Sequence, residues 1–519
     1  MRFWQGLRQP VRYATLLAGA IPVLAFPAPN LEYLAWACLI PGLALMQRAP
    51  TRREAAVRGW WFGTGYLLAT MYWLLPNLGP GLLLVAIVIG FLWSAVGLAV
   101  WSMLRPPLTA GRAIAALAVV PSSWLVTEWI RSWQGIGGPW AVFGASQWQH
   151  PAILGLAAVG GIWLVSFALV LANTGLLLGV IARAPAVRII GIGAALAAIV
   201  AGPTAFALST SPTAGRPLTI ALVQPGIVNG TAERLARNEE LTASQARRAD
   251  LFVWGESSVG YYLGDHPALL ASIEHASKSA GAQILVDQDA LNAAGAKSKQ
   301  ATLISSTGIR GRYVKTRLVP FGEYIPFRPV LGWLSKISRA AAQNVVPGTG
   351  AHVLHATLPG GRRLTIGVLI CFESAFPDMS RVDADHGAQV IIYQTSDSTF
   401  QASWAPAQHA ALAAVRAAET GRPTVQAALT GDSVAFDQRG RLLAWAGTSY
   451  RGVLIVHMRL PPATARTIYD RLGDYVPWCA TGIVAVACLI GFVRRRSGRR
   501  ASAGQAKAKP VGISADDRI

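Results

Sequence analysis

Eight long apolar runs, seven of them crowded before residue 208 and one near the end, constrain this chain more than any other feature. A helix needs about 20 predominantly apolar residues to cross a bilayer, where every backbone polar group must be satisfied within the protein. The runs fall near 12–27, 31–47, 57–76, 81–104, 113–130, 153–182 and 188–208, and again at 474–493. The sixth is long enough to hide a break at Gly160-Gly161. Only 14% of the 519 residues are charged, against roughly 25% in an average soluble domain, and the deficit lies in these runs. The expected organisation is a membrane part with seven helices over 1–211, a water-exposed domain over 212–472, an eighth span over 473–494 and a basic, disordered tail over 495–519. The first run does not read as a cleavable signal, because a second follows at once and no small-residue cleavage site stands out.

Basic residues favour the cytoplasmic side of short loops. Arg2, Arg8 and Arg12 precede the first run, QRAPTRREAAVR separates the second and third, MLRPPLTAGR the fourth and fifth, and ARAPAVR the sixth and seventh. RRRSGRR follows the last. The alternate loops PAPN and PNLGP carry no Lys or Arg. Both termini are therefore expected in the cytoplasm and the 212–472 domain on the opposite face, which is the periplasm in a bacterium with two membranes. These anchors and the tail account for much of the net charge of +21, so attraction to anionic lipid is expected and a nucleic-acid partner is not.

Cys38, Cys479 and Cys488 lie in apolar runs, where a small thiol needs no further explanation. Cys371 alone lies in the water-exposed domain, with no cysteine there to pair with. That domain alternates β-rich runs (219–227, 250–257, 282–289, 364–374, 388–397) with helical stretches such as 231–249 and 406–420, which predicts an α/β class with a mixed, largely buried sheet. Later runs predict antiparallel pairs with a hairpin at Asp437–Gly440.

Three polar residues stand at strand ends and in the loops that follow, where such folds place reactive groups. Glu256 follows DLFVW, Lys315 lies in RYVKTRLVPFGEYIPF and Cys371 follows TIGVLI. Each has an ordinary alternative: a helix cap, a solvated lysine, a core cysteine. Together they are a complete set for acyl transfer through a thioester. A carboxylate takes the thiol proton, the thiolate attacks, and an ammonium steadies the oxyanion.

The order Glu…Lys…Cys with CFESAFPD resembles the nitrilase superfamily. YVKTRLVPFGEYIPFR, VPGTG, IGVLICFESAFPD and AAVRAAETGRPTVQAALTG are similar to the membrane-bound branch of that superfamily, the apolipoprotein N-acyltransferases. TEWIRSWQGIGGPWAVFGASQ (127–147) and GWWFGTGYLLATMYW (59–73) extend the likeness into the membrane part. The resemblance implies an α-β-β-α sandwich beside an α-helical membrane bundle. It implies Glu256 as general base, Lys315 as oxyanion stabiliser and Cys371 as nucleophile, with Glu323 and Glu373 as further functional acids. It implies a phospholipid acyl donor, such as phosphatidylethanolamine, and a diacylated lipoprotein acceptor, in the inner membrane of a bacterium. A monomer is expected. No metal cluster, nucleotide loop or haem motif occurs in the sequence, so no cofactor is expected.

Some positions depart from the family pattern. Gly255 stands where proline is usual, Phe372 where tyrosine is usual, and Thr399 at a tryptophan position, and 228–250 lacks an expected tryptophan. These leave open a divergent paralogue, either a membrane-tethered amidase or a nitrilase-like protein of conjugative transfer. Glu128 and Arg131, spaced i and i+3, are expected to pair on one helix face. Residues 325–345 mix apolar and basic side chains and are expected to form either an amphipathic arm at the lipid surface or a plain surface helix.

Overall fold

A computed structural model describes residues 10–209, 215–291, 297–332 and 345–507. Among them five helices are long and apolar enough to cross a membrane: Gly81–Leu104, Ala110–Arg131, Pro151–Ile181, Pro185–Leu208 and Tyr475–Arg494. The first three expected runs come out differently. The first is a helix over Pro10–Ala20 that tightens into a 3-10 turn over Ile21–Ala25. The second is not one span but a 3-10 turn, Glu32–Trp36, followed by a short helix over Ile40–Gln47 with a proline in its first turn. Such a break needs its backbone groups satisfied from elsewhere. Asn173 does this, accepting from the Leu39 amide at 2.9 Å and donating to the Ala35 carbonyl at 2.8 Å. The third is a 19-residue helix, Arg52–Thr70, whose first turns are charged. At the other end of the chain the last helix continues beyond 494 to Lys507, through arginines and alanines that favour helix.

The loops expected to be cytoplasmic gather at one end of the bundle. Glu54 takes Arg12 at 2.6 Å and Arg58 at 3.3 Å, while Trp101 donates to the Ala49 carbonyl at 2.8 Å. The helix Arg52–Thr70 rises about 28 Å from that end. Just past its far end, Tyr72 and Trp73 meet Trp404 and Phe400 of the α/β domain, with ring centroids 5.1 and 4.9 Å apart.

Among the described residues the α/β domain holds twelve strands: β1 (Arg216–Gln224), β2 (Leu251–Trp254), β3 (Gln283–Leu291), β4 (Lys297–Ser305), β5 (Gly308–Val314), β6 (Val353–Thr357), β7 (Arg363–Ile370), β8 (Val390–Thr395), β9 (Thr424–Ala428), β10 (Ser433–Phe436), β11 (Leu442–Ala446) and β12 (Gly452–Leu460). They form not one sheet but two of six strands, in the orders β12-β1-β2-β3-β4-β5 and β11-β10-β9-β8-β7-β6. The pairs β1–β2, β2–β3, β7–β8 and β8–β9 are parallel. Strands buried on both faces read as unbroken apolar runs, which is why these were visible in the sequence. The expected hairpin is present, with β10 and β11 antiparallel about the Asp437 turn. Helices Thr231–Ser244 and Pro267–Ala280 cover one sheet, and Pro377–Asp385 and Ala405–Thr420 the other, completing an α-β-β-α sandwich.

Every residue of Ala405–Thr420 but Ala407 is buried, the helix being wedged between its sheet and the membrane helix Pro151–Ile181. That membrane helix is kinked at the suspected pair, with Gly161 at φ +69°. A Cβ there would lie 2.6 Å from the Tyr469 ring, so only glycine fits. Glu419 accepts from the Ile162 amide at 2.6 Å, capping the second half of the broken helix from the α/β domain.

Candidate active site

The two sheets bring Glu256, Lys315 and Cys371 together. Glu256 follows β2, its amide bonded across the sandwich to the Thr395 carbonyl at 3.1 Å. Lys315 follows β5 and is fully buried, its ammonium 2.7 Å from Glu323 and 3.4 Å from Glu256. Cys371 follows β7 with φ +54°, a left-handed backbone that costs a non-glycine residue roughly 1–3 kcal/mol. Such strain persists only where the surroundings enforce it, and here it sets a half-buried thiol beside Glu256.

A fourth member was not found in the sequence. Lys299, the third residue of β4, sets its ammonium 3.3 Å from Glu256, 2.8 Å from Ser257 Oγ and 3.3 Å from Asp289. Burial works against charge on Glu256, yet Lys299, Lys315 and the Cys371 thiol outweigh it and hold the carboxyl well below the usual carboxylate range. Burial works against Lys315 too, but Glu323 and Glu256 keep it protonated. Desolvation, with Glu256 alongside, pushes the Cys371 thiol up, Lys315 pulling against them. The resting site is therefore a neutral thiol beside an ionised carboxylate.

Behind Glu256, Ser257 has φ +56° and donates its amide to Asp287 at 2.7 Å. Burial pushes Asp287 up to about 8. Glu323 ties Lys315 to the loop by also accepting from the Val319 amide at 2.9 Å. Glu373 makes no hydrogen bond to the three. Its carboxylate accepts from the Ile370, Thr316 and Arg317 amides at 2.8, 2.7 and 2.9 Å and from the Tyr313 hydroxyl at 2.8 Å. It thereby fastens the Cys371 turn to the loop that carries Lys315. Phe372 is buried edge-to-face on Phe376, centroids 5.1 Å apart. Gly138 of the membrane part, at φ +76°, lies so close that a Cβ would sit 2.6 Å from the Phe372 ring tip.

The membrane loop holding Gly138 is itself pinned. Glu128 accepts from the Phe143 amide at 2.7 Å, and Arg131 donates to the Trp140 and Ala141 carbonyls at 2.6 and 3.3 Å. The expected pairing of these two with each other is absent among the described ion pairs, because the loop's backbone has taken both. Of 325–345, Arg328–Leu331 forms a single helical turn with Phe327 exposed beside it, while 333–344 lies outside the described residues.

Comparison with known proteins agrees with this arrangement. Residues 18–175 match the family model of the apolipoprotein N-acyltransferase N-terminal domain, and 219–466 match that of carbon-nitrogen hydrolase. The chain is 32% identical over 548 residues to the apolipoprotein N-acyltransferase of Sinorhizobium medicae, covering 93% of this chain and 97% of that one. It is 29% identical over 511 residues to the protein of that name from Geobacter metallireducens, covering 92% and 95%. A Methylococcus capsulatus protein of the same name is 30% identical over 480 residues, covering 88% and 91%. The chain belongs to the apolipoprotein N-acyltransferase family.

Proposed function

We propose that this enzyme moves an acyl chain from a membrane phospholipid, phosphatidylethanolamine being the expected donor, through a thioester on Cys371 to the N-terminal amine of a diacylglyceryl-cysteine lipoprotein. The observation that carries this is the Cys371 turn, set beside a carboxylate held between two ammonium groups and against the ends of membrane helices.

In the first half-reaction the thiol gives its proton to Glu256 as Sγ attacks the ester carbonyl carbon. Lys315 steadies the charge that develops on the carbonyl oxygen. The tetrahedral intermediate collapses by breaking the ester C–O bond, and the lysophospholipid alkoxide takes the proton from Glu256. In the second half the lipoprotein amine attacks the thioester, Glu256 receives its proton, and the Cys371 sulfur leaves and is reprotonated. Glu323 holds Lys315 in place, and Glu373 holds the two loops in register. Phe372 and Thr399 belong to the surroundings in which lipid preference is set.

Both substrates sit in a bilayer with their reacting groups at its face, so the site must hang at that height. The contacts of Tyr72, Trp73 and Trp140 with the α/β domain support such a placement. The basic loops gather at the other end of the bundle, which supports cytoplasmic termini and a periplasmic catalytic domain in a bacterial inner membrane.

Purified full-length protein, given phosphatidylethanolamine and a synthetic diacylated lipopeptide, should yield a triacylated peptide and one lysolipid for each. Release of free fatty acid with the peptide unchanged would mean water is the acceptor, and would replace the transferase by a hydrolase. The site's electrostatics add a second expectation. Lys299→Met removes one of the two cations that lower Glu256, so the carboxylate protonates at higher pH. The acid limb of the pH–rate profile should move up by about one unit while the neutral plateau falls less than about tenfold. An unmoved acid limb would show that Lys299 does not act on Glu256.

A further inference from the structure

The backbone of Cys371 is gripped from a side the mechanism has not used. His409, near the start of the buried helix Ala405–Thr420, approaches the Cys371 carbonyl with Nε2 at 3.1 Å. Its Nδ1 lies 3.0 Å from Asp397 Oδ1 and 3.2 Å from Thr395 Oγ1. Both His409 and Asp397 are buried, with side chains 2% and 6% exposed. Asp397 follows β8 and is anchored through its own amide, which donates to the Thr430 carbonyl at 2.8 Å.

A neutral imidazole carries one N–H, whereas here a carbonyl at Nε2 and a carboxylate at Nδ1 each require a donor. Both are satisfied when the ring is an imidazolium. Burial works against that charge, but Asp397 raises His409 above its ordinary value. The charged groups facing the ring are Asp397 and Glu256, and the Cys371 backbone carbonyl is its partner at Nε2. From the membrane side Trp140 packs its ring on His409, centroids 5.4 Å apart, and donates Nε1 to the neighbouring Gln408 at 3.1 Å. The ring therefore links the pinned membrane loop to the nucleophile.

We infer that Asp397 and His409 are positioning residues that clamp the Cys371 carbonyl and hold the strained turn in its reactive conformation. Glu373 fixes the strand side of the turn through the Ile370 amide; His409 fixes the following carbonyl. Left unclamped, a residue at φ +54° relaxes toward the ordinary helical or extended regions, and Sγ swings away from Glu256. The inference rests on Cys371 being the nucleophile and adds the device that aims it.

The test uses full-length protein in mixed micelles with phosphatidylethanolamine, and follows acylation of the Cys371 peptide by mass spectrometry. His409→Ala should slow acylation about 10- to 100-fold, the loss expected for one hydrogen bond from a charged donor. His409→Gln, whose amide N–H can reach the same carbonyl, should recover most of the rate. Asp397→Asn should draw the alkaline limb of the pH–rate profile to lower pH, since without the carboxylate the imidazolium loses its proton sooner as pH rises. An alanine variant acylated at the wild-type rate overturns the inference, as does a glutamine variant no better than alanine at an equal melting temperature. Should wild-type Cys371 never be acylated yet still react with iodoacetamide, the proposed function fails instead. The iodoacetamide rates of the same variants then test the clamp on their own.

Discussion

Cys371→Ala is expected to lower acyl transfer by on the order of 10⁴-fold or more, the scale seen when a covalent nucleophile is removed from an enzyme. Every bond made or broken in the proposed sequence passes through Sγ, and neither water nor Glu256 replaces it at that position. Cys371→Ser is expected to be nearly as inactive. A hydroxyl at the same left-handed turn holds its proton far more tightly than a thiol, and a single carboxylate already depressed in basicity is a poor partner for it. The chain should remain folded in both variants, because Sγ contributes little to a core carried by the central strands. Turnover of a diacylated lipopeptide, measured beside the melting temperature, checks this. Activity within tenfold of wild type in the alanine variant would remove the thioester from the mechanism.

Glu256→Gln should cost about 10³-fold, within the range for loss of a general base. The amide keeps the shape but cannot accept the thiol proton, and it leaves Lys299 and Lys315 each short of the same anion. The wild-type enzyme should show its acid limb below the ordinary carboxylate range. Glu256 is held low by its two lysines and the Cys371 thiol, so activity is kept as pH falls and is lost only as pH passes through that depressed value. A wild-type acid limb at or above the ordinary glutamate value would contradict the two-lysine arrangement.

The parts of this site visible in the sequence were those at the ends of strands. Glu256 and Cys371 each follow a run apolar enough to be read as buried, Lys315 lies in RYVKTRLVPFGEYIPF, and the motif around Cys371 supplied their grouping. The parts not visible depend on contacts between distant elements. Lys299 lies in β4, where periodicity gives no hint that Glu256, just past β2, faces it. Asp397 and His409 are twelve residues apart on a loop and a helix, and only the fold shows that both reach the Cys371 backbone. Glu373 is a different case: the family resemblance marked it as a functional acid, and only the fold shows the four donors that its carboxylate holds.

The membrane part divides in the same way. Hydropathy located the long helices and the Gly160-Gly161 break. It overlooked that residues 31–47 are split, because the repair comes from Asn173, more than a hundred positions away. The Glu128–Arg131 spacing likewise suggested a pair, and the loop over 140–143 intercepted both partners. They fix a membrane loop against Phe372 and His409, so the bundle supports the catalytic domain as well as anchoring it.

The central claim is that an acyl chain resides on Cys371 between donor and acceptor. Full-length protein should be incubated with phosphatidylethanolamine in the absence of acceptor, quenched in acid and digested, and the Cys371 peptide then weighed. The account predicts that peptide heavier by one acyl chain, the addition removed by neutral hydroxylamine and lost within one turnover when diacylated lipopeptide is added before quenching. An acyl chain that reaches the lipopeptide while the Cys371 peptide is unmodified at every time point, or that sits on another residue, would contradict it.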